Sequence, residues 1–164
     1  MTDVYAVIAS LIFLALTYPA LLLVWRLFFP GHVQRARARI TKTPWKSFGF
    51  GIASALLAAI PAAILFSLPA QLFQVLGWIW IVLLLALSSS AAAGISAELG
   101  KRIQSLNGGQ FSELGSFLRG AAVWEFASVF PVIGWLLVFP AGLFLTLGAG
   151  MFAFFGWEPR TEKS

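Results

Sequence analysis

Cysteine is absent from the 164 residues, which excludes disulfides, thiolate metal sites and cysteine nucleophiles. Histidine occurs once, as His32, so no two-histidine haem or zinc site can be built. Charge is scarce as well: 10% of the residues are Asp, Glu, Lys or Arg, against about a quarter in soluble domains. What is abundant is apolar surface, with 60% of the chain hydrophobic and a mean hydropathy of +0.90. A chain this poor in charge cannot cover a water-facing exterior, and one this apolar cannot stay solvated as disorder. One short, all-α domain dissolved in lipid is the expectation.

Catalytic groups are missing too. The serines of the apolar runs have no histidine within the membrane, H-E-x-x-H does not occur, and no acidic pair with a pocket can be placed. Asn107-Gly108-Gly109 reads as a turn, since a phosphate-cradling loop needs more glycines and a basic residue. No enzyme, metal or cofactor is expected. The formal charge of +5 does not point to nucleic acid, because all eleven Lys and Arg sit in three short stretches flanking apolar runs, a membrane pattern.

Val4 to Trp25 gives 22 uncharged residues, enough to cross about 30 Å of hydrocarbon at about 1.5 Å per residue. The basic flank follows this run and Met1-Thr2-Asp3 lacks a basic start, so a cleaved signal peptide is not expected. Ser47 to Ala97 gives 51 uncharged residues, about 76 Å of helix, which must fold back once. Phe126 to Trp157 gives 32 more, and with Arg119 and Glu125 admitted this block also holds two helices. Five transmembrane helices result. Arg26, Arg35, Arg37, Arg39, Lys42 and Lys46 follow the first span, Lys101, Arg102 and Arg119 separate the third from the fourth, and Arg160 and Lys163 follow the fifth. Five spans put every cation on one face, whereas four or six divide them, so the N-terminus is expected outside and the C-terminus in the cytoplasm. The single membrane domain, 1–164, then divides into a leading helix (1–29), a basic cytoplasmic loop (30–46), a hairpin (47–100), a second loop (101–115), a second hairpin (116–157) and a cytoplasmic tail (158–164).

The two hairpins share a pattern. Ser47-Phe48-Gly49-Phe50-Gly51 matches Ser116-Phe117-Leu118-Arg119-Gly120 as S-F-x-x-G, and Pro61 and Pro131 follow at nearly equal distance. Pro69-Ala70-Gln71-Leu72-Phe73-Gln74-Val75-Leu76-Gly77 then matches Pro140-Ala141-Gly142-Leu143-Phe144-Leu145-Thr146-Leu147-Gly148 as P-A-x-L-F-x-x-L-G. Both copies start on the basic side, so the reading is a parallel internal repeat. Proline breaks helices, which puts the first corner at Pro69 and leaves the second open between Pro131-Val132-Ile133-Gly134 and Pro140; the earlier choice makes the fourth helix short.

Phe28-Phe29-Pro30, a basic stretch and Pro44-Trp45-Lys46-Ser47-Phe48-Gly49-Phe50-Gly51 resemble the opening of the membrane domain of bacterial polymer-forming (bactofilin-type) cytoskeletal proteins. Phe130-Pro131-Val132-Ile133-Gly134-Trp135 and Leu147-Gly148-Ala149-Gly150 resemble its closing hairpin, so the resemblance runs over most of residues 20 to 155. In that family the membrane part is usually joined to a β-helical polymerising domain, and the sequence holds no soluble segment long enough for one. The resemblance implies a helical membrane module of anchoring or scaffolding type, in a bacterial cytoplasmic membrane or one derived from it.

Glu125 is the sharpest single residue, since an ionisable group inside a span costs on the order of 3 kcal/mol by insertion scales. Its readings are a proton relay, an ion ligand or a polar contact to a partner, against a neutral glutamate bonded to a neighbouring helix or one wetted at the interface. Arg119, six residues away, lies too far round the helix to pair with it. A transport pathway normally shows several such groups, and no second one is found. Arg35, Arg39, Lys42 and Lys46 are spaced i, i+4, i+7 and i+11, with Val33, Ala36 and Ile40 roughly opposite. That spacing suits an interfacial helix on anionic headgroups, the competing reading being a plain topogenic loop with Arg37 off the stripe. His32 reads as a loop histidine rather than an axial ligand. Ser90 and Gly94, closing Ser88-Ser89-Ser90-Ala91-Ala92-Ala93-Gly94, and Gly142, Gly148 and Gly150 are helix-packing residues, inside the bundle or against a second subunit. Glu98 with Lys101 and Arg102 is a routine pairing at a helix end. Trp25, Trp45 and Trp157 fit an aromatic belt. The function expected is a non-enzymatic scaffold, anchor or accessory subunit packed against membrane-protein partners or its own copies. The alternatives are a small transporter or proton-linked channel element using Glu125, and a subunit holding pigment or quinone.

Overall fold

The computed structural model describes residues 2–109 and 111–157; the expected tail, with Arg160 and Lys163, lies outside them. The described residues form α1 (Thr2–Phe28), α2 (Pro30–Lys42), α3 (Pro44–Ser67), α4 (Gln71–Leu106), α5 (Glu113–Val129), a π-helix (Gly134–Val138) and α6 (Phe139–Phe154), with no strand among them. Three stretches are long and apolar enough to cross a membrane: α3, α4, and the π-helix with α6. α5 is not one of them. Its 17 residues extend about 25 Å, short of a hydrocarbon core of about 30 Å, and they carry Glu113, Arg119 and Glu125.

Both expected cytoplasmic loops are largely helix. Residues 30–42 form α2 because Pro30 starts it at a position where the missing N–H costs nothing, and because Val33 and Ala36 bury against the bundle. Pro44 ends it, since the residue before a proline is pushed out of the helical region, and Thr43 has φ −137°. Lys46 therefore sits on α3, and the four-residue basic stripe does not share one helix. The second loop is shorter than expected, because α4 continues to Leu106. It ends in a cap where Gly108 and Gly109 adopt positive φ and the Gly109 N–H bonds the Gln104 carbonyl at 3.0 Å.

The first corner is Leu68-Pro69-Ala70, as expected. The second is Phe130-Pro131-Val132, where Ile133 N–H bonds the Pro131 carbonyl at 2.8 Å across Val132 at φ 65°. The corner thus falls on the second matched proline in one hairpin and on the first in the other. Pro61 and Pro140 both lie inside helices. Trp80 Nε1 donates to the Ala58 carbonyl at 2.9 Å, in the turn where Pro61 removes a donor. Ahead of Pro140 the helix widens to π spacing, with Phe139 N–H on the Gly134 carbonyl.

α4 is the axis of the bundle. Seven consecutive residues, Ser90 through Ser96, are buried, so this part of α4 is enclosed on every side. Three successive serines, about 100° apart round the helix, reach three different neighbours. Ser88 Oγ meets Thr146 Oγ1 of α6 at 2.7 Å, Ser89 Oγ accepts from Trp25 Nε1 of α1 at 2.9 Å, and Ser90 Oγ meets His32 Nε2 of α2 at 2.9 Å.

Two antiparallel crossings set how the hairpins join. In the first, α3 on α6, a Cβ on Gly51 would collide with the Phe144 carbonyl and one on Gly148 with the Ser47 carbonyl. In the second, α5 on α4, Gly120 lies on the Ser96 carbonyl and Gly100 on the Ser116 carbonyl. Both S-F-x-x-G pentads thus make the same reciprocal contact, in which glycine lets two backbones touch. The P-A-x-L-F-x-x-L-G match has no such equivalence: Gly77 faces the Phe66 ring, whereas Gly148 faces Ser47 and Gly51. Replacing Gly100 or Gly148 with Leu is expected to lower the thermal midpoint in detergent sharply, because backbone must move. Gly49→Ala, where a Cβ meets nothing within 4 Å, should be neutral or stabilise by about 0.5–1 kcal/mol through helix propensity.

Candidate functional site

A hollow of about 590 Å³, in the range of small-molecule sites, lies between α1, α4, α5, the π-helix and α6. Its walls are apolar and aromatic, with Trp124, Trp135, Phe139 and Leu143, and its polar atoms come from Tyr18, Ser88, Glu125, Ser128 and Thr146. Local sequence shapes it. Gly142 has no Cβ, so the Trp124 ring lies directly on α6. Gly134 sits against the Ala127 and Ser128 carbonyls, which brings the start of the π-helix, and with it Trp135, onto α5.

Glu125 lines this cavity, as an expected span residue with neighbours that the sequence did not indicate. Of the three acidic side chains described, Glu98 pairs with Arg37 and Arg102, Glu113 pairs with Arg26, and Glu125 pairs with neither arginine nor lysine. Arg119 is turned away from it, with Nη1 donating to the Gly115 carbonyl at 3.2 Å and the guanidinium 3.7 Å over the Phe111 ring. The hydroxyl protons of Ser88, Thr146 and Ser128 are already placed. Thr146 donates to the Gly142 carbonyl at 2.8 Å, so Ser88 is the donor in their mutual bond, and Ser128 donates to the Trp124 carbonyl at 2.9 Å.

The four basic residues expected to share a headgroup face are divided. Arg39 Nε donates to the Trp157 carbonyl at 2.8 Å and its guanidinium lies 4.5 Å over the Phe152 ring, which fixes the end of α6. Arg35 is half-buried, with a buried Nε that has no partner among the described residues. Lys42 and Lys46 are exposed. Arg37, which the stripe left out, is instead the residue that faces α4, donating from Nε and Nη2 to Glu98 Oε2 at 3.0 and 2.7 Å. His32 is helical, not in a loop, and its bond to Ser90 is definite in direction. The Ser90 proton goes to the Leu87 carbonyl at 2.6 Å, which leaves its oxygen to accept from His32 Nε2.

The helix-packing residues are all occupied within the chain. Gly94 lies against the backbone of Val33 and Arg37, Gly142 against Trp124, Gly148 against Ser47 and Gly51, and Gly150 against the Leu87 carbonyl. Ser90 bonds α2. No protein-family model matches the chain, and no curated protein and no solved structure shows significant similarity to it.

The α2–α4 contacts make stability depend on pH and on one ion pair. Burial first, then the Arg35 cation, hold the His32 pKa below the usual imidazole range. The folded state then binds the His32 proton less readily than the unfolded one, so this contribution is full above about pH 6.5 and is lost as pH falls toward the folded value. Amide protection factors in α2, corrected for the slower intrinsic exchange in acid, should fall between pH 7 and pH 5, and His32→Asn should remove that dependence. Glu98→Gln leaves the half-buried Arg37 without its carboxylate and is expected to cost about 1–3 kcal/mol in chemical unfolding. Arg102→Gln, whose side chain is 71% exposed, should change stability by less than about 0.5 kcal/mol.

Proposed function

We propose that this chain is a non-enzymatic membrane module that anchors or scaffolds partner membrane proteins. It has five helices in the bilayer, the N-terminus outside and the C-terminus in the cytoplasm, and it belongs to a bacterial cytoplasmic membrane. The one-sided placement of all eleven Lys and Arg supports the orientation, and the resemblance to the membrane domain of bactofilin-type proteins supports the anchoring role and the location. The two like S-F-x-x-G crossings support descent from a duplicated hairpin. Lys42 and Lys46, both exposed, are the cations best placed to meet anionic headgroups.

The observation that carries the scaffold reading is a groove of about 380 Å³ between α3, α4 and α6. Its α3 wall is Ala55, Ala58, Ala59 and Ala62, spaced i, i+3, i+4 and i+7 on one helix face. In lipid, where apolar surface alone gives no drive to associate, alanine at this spacing lets a further helix approach closely. The occupant proposed is an apolar helix of a partner membrane protein.

The test is isolation of the tagged chain in a mild detergent with mass spectrometry of what accompanies it. A stoichiometric membrane-protein partner is expected. Ala59→Leu with Ala62→Leu should release that partner at least tenfold while the thermal midpoint stays within about 2 °C. Partner retention by the double variant, or a lone particle in the parent preparation, would refute the scaffold reading.

A further inference from the structure

We propose that the Glu125 cavity binds a lipophilic cation, a compact ammonium or similar positive centre with apolar substituents. Three observations meet there. Glu125 is the one described acid without a basic partner, and the nearest cation on its own helix, Arg119, is committed to Gly115 and Phe111. A carboxylate next to apolar walls is stabilised by an opposite charge, and none of the described residues supplies one. Two indoles, Trp124 and Trp135, line the same hollow, and the face of an indole attracts a cation.

The third observation is a wall richer in acceptors than in donors. Ser88, Thr146 and Ser128 have each given their proton to an internal oxygen, so these hydroxyls offer the cavity lone pairs rather than donors. An ionised carboxylate also only accepts. A quinone, whose carbonyl oxygens likewise only accept, finds no counterpart in these four groups and would depend on the Tyr18 phenol or an indole N–H for a donor. A positive centre satisfies the carboxylate without needing a donor from the wall, and N–H groups on it would satisfy the hydroxyl oxygens as well. The volume of about 590 Å³ admits such a head with several apolar substituents, and the apolar walls take the substituents.

The same chemistry has two sources in a membrane, a free lipophilic cation and the amine headgroup of a lipid. Radiolabelled tetraphenylphosphonium is a probe for both. Binding to the full-length protein is measured in dodecyl maltoside, which carries no charge, with and without added phosphatidylethanolamine. Saturable binding at one site per chain is expected, weakened at least tenfold in Glu125→Gln and at least threefold in Trp135→Leu. Glu125→Asp, which keeps the charge, should bind within about threefold of the parent and guards against loss through misfolding, with helix content and elution volume checked for each variant. Displacement by phosphatidylethanolamine, and not by phosphatidylglycerol, assigns the site to an aminolipid; no displacement by either assigns it to a free cation. Absence of saturable binding in the parent, or equal binding by folded Glu125→Gln, overturns the proposal.

Discussion

The enclosure of α4 by small residues is the constraint on which the rest of the structure depends. Inside a bilayer the lipid tails are as apolar as any leucine, so helices gain little by hiding apolar surface from their surroundings. Cohesion has to come from close approach and from hydrogen bonds between helices. The segment from Ser88 to Gly100 supplies both, because its serines, alanines and glycines are narrow enough for α1, α2, α5 and α6 to reach its backbone and because its hydroxyls give three of them a polar contact. A larger side chain at one of these places would separate several helices, not one pair.

The cavity is a product of the same economy of side-chain size. Where Trp124 lies on Gly142, the ring closes the contact between α5 and α6; the space that remains is lined from α1, α4, α5, the π-helix and α6. The π-helix matters to this geometry. Trp135 lies within it and lines the cavity, and the widened turn falls just where Pro140 denies the preceding turn a donor.

The helical class, the corner at Pro69 and the glycine turn after Asn107 were legible in the sequence, because each rests on a local signal: length of apolar run, a proline, paired glycines. Val33, Ala36 and Ile40 were legible as an apolar stripe opposite the cations, but of an interfacial helix or loop and not of a helix packed into the bundle. Contacts between helices were not. α3, α4 and α6 are apolar all round, so no periodicity marks which face looks inward, and a small residue announces a close neighbour without naming it. The pairing of Arg37 with Glu98 illustrates the limit, since 61 residues separate them and only the crossing at Gly94 brings α2 beside α4. The same limit hid the company of Glu125: Ser88 and Thr146 join it only after α4 and α6 have packed.

The two glycine crossings also constrain the order in which the bundle can be made. Each hairpin's first helix rests on the other hairpin's second, α3 on α6 and α5 on α4, so these four glycine contacts join the early half of the chain to the late half. During synthesis from the N-terminus, α3 and α4 emerge and meet at their shared corner while Ser47, Gly51, Ser96 and Gly100 still face nothing. The early hairpin on its own therefore lacks the partners of these glycine contacts. Whatever it meets in that interval, lipid or insertion machinery, must give way when residues 113–154 arrive.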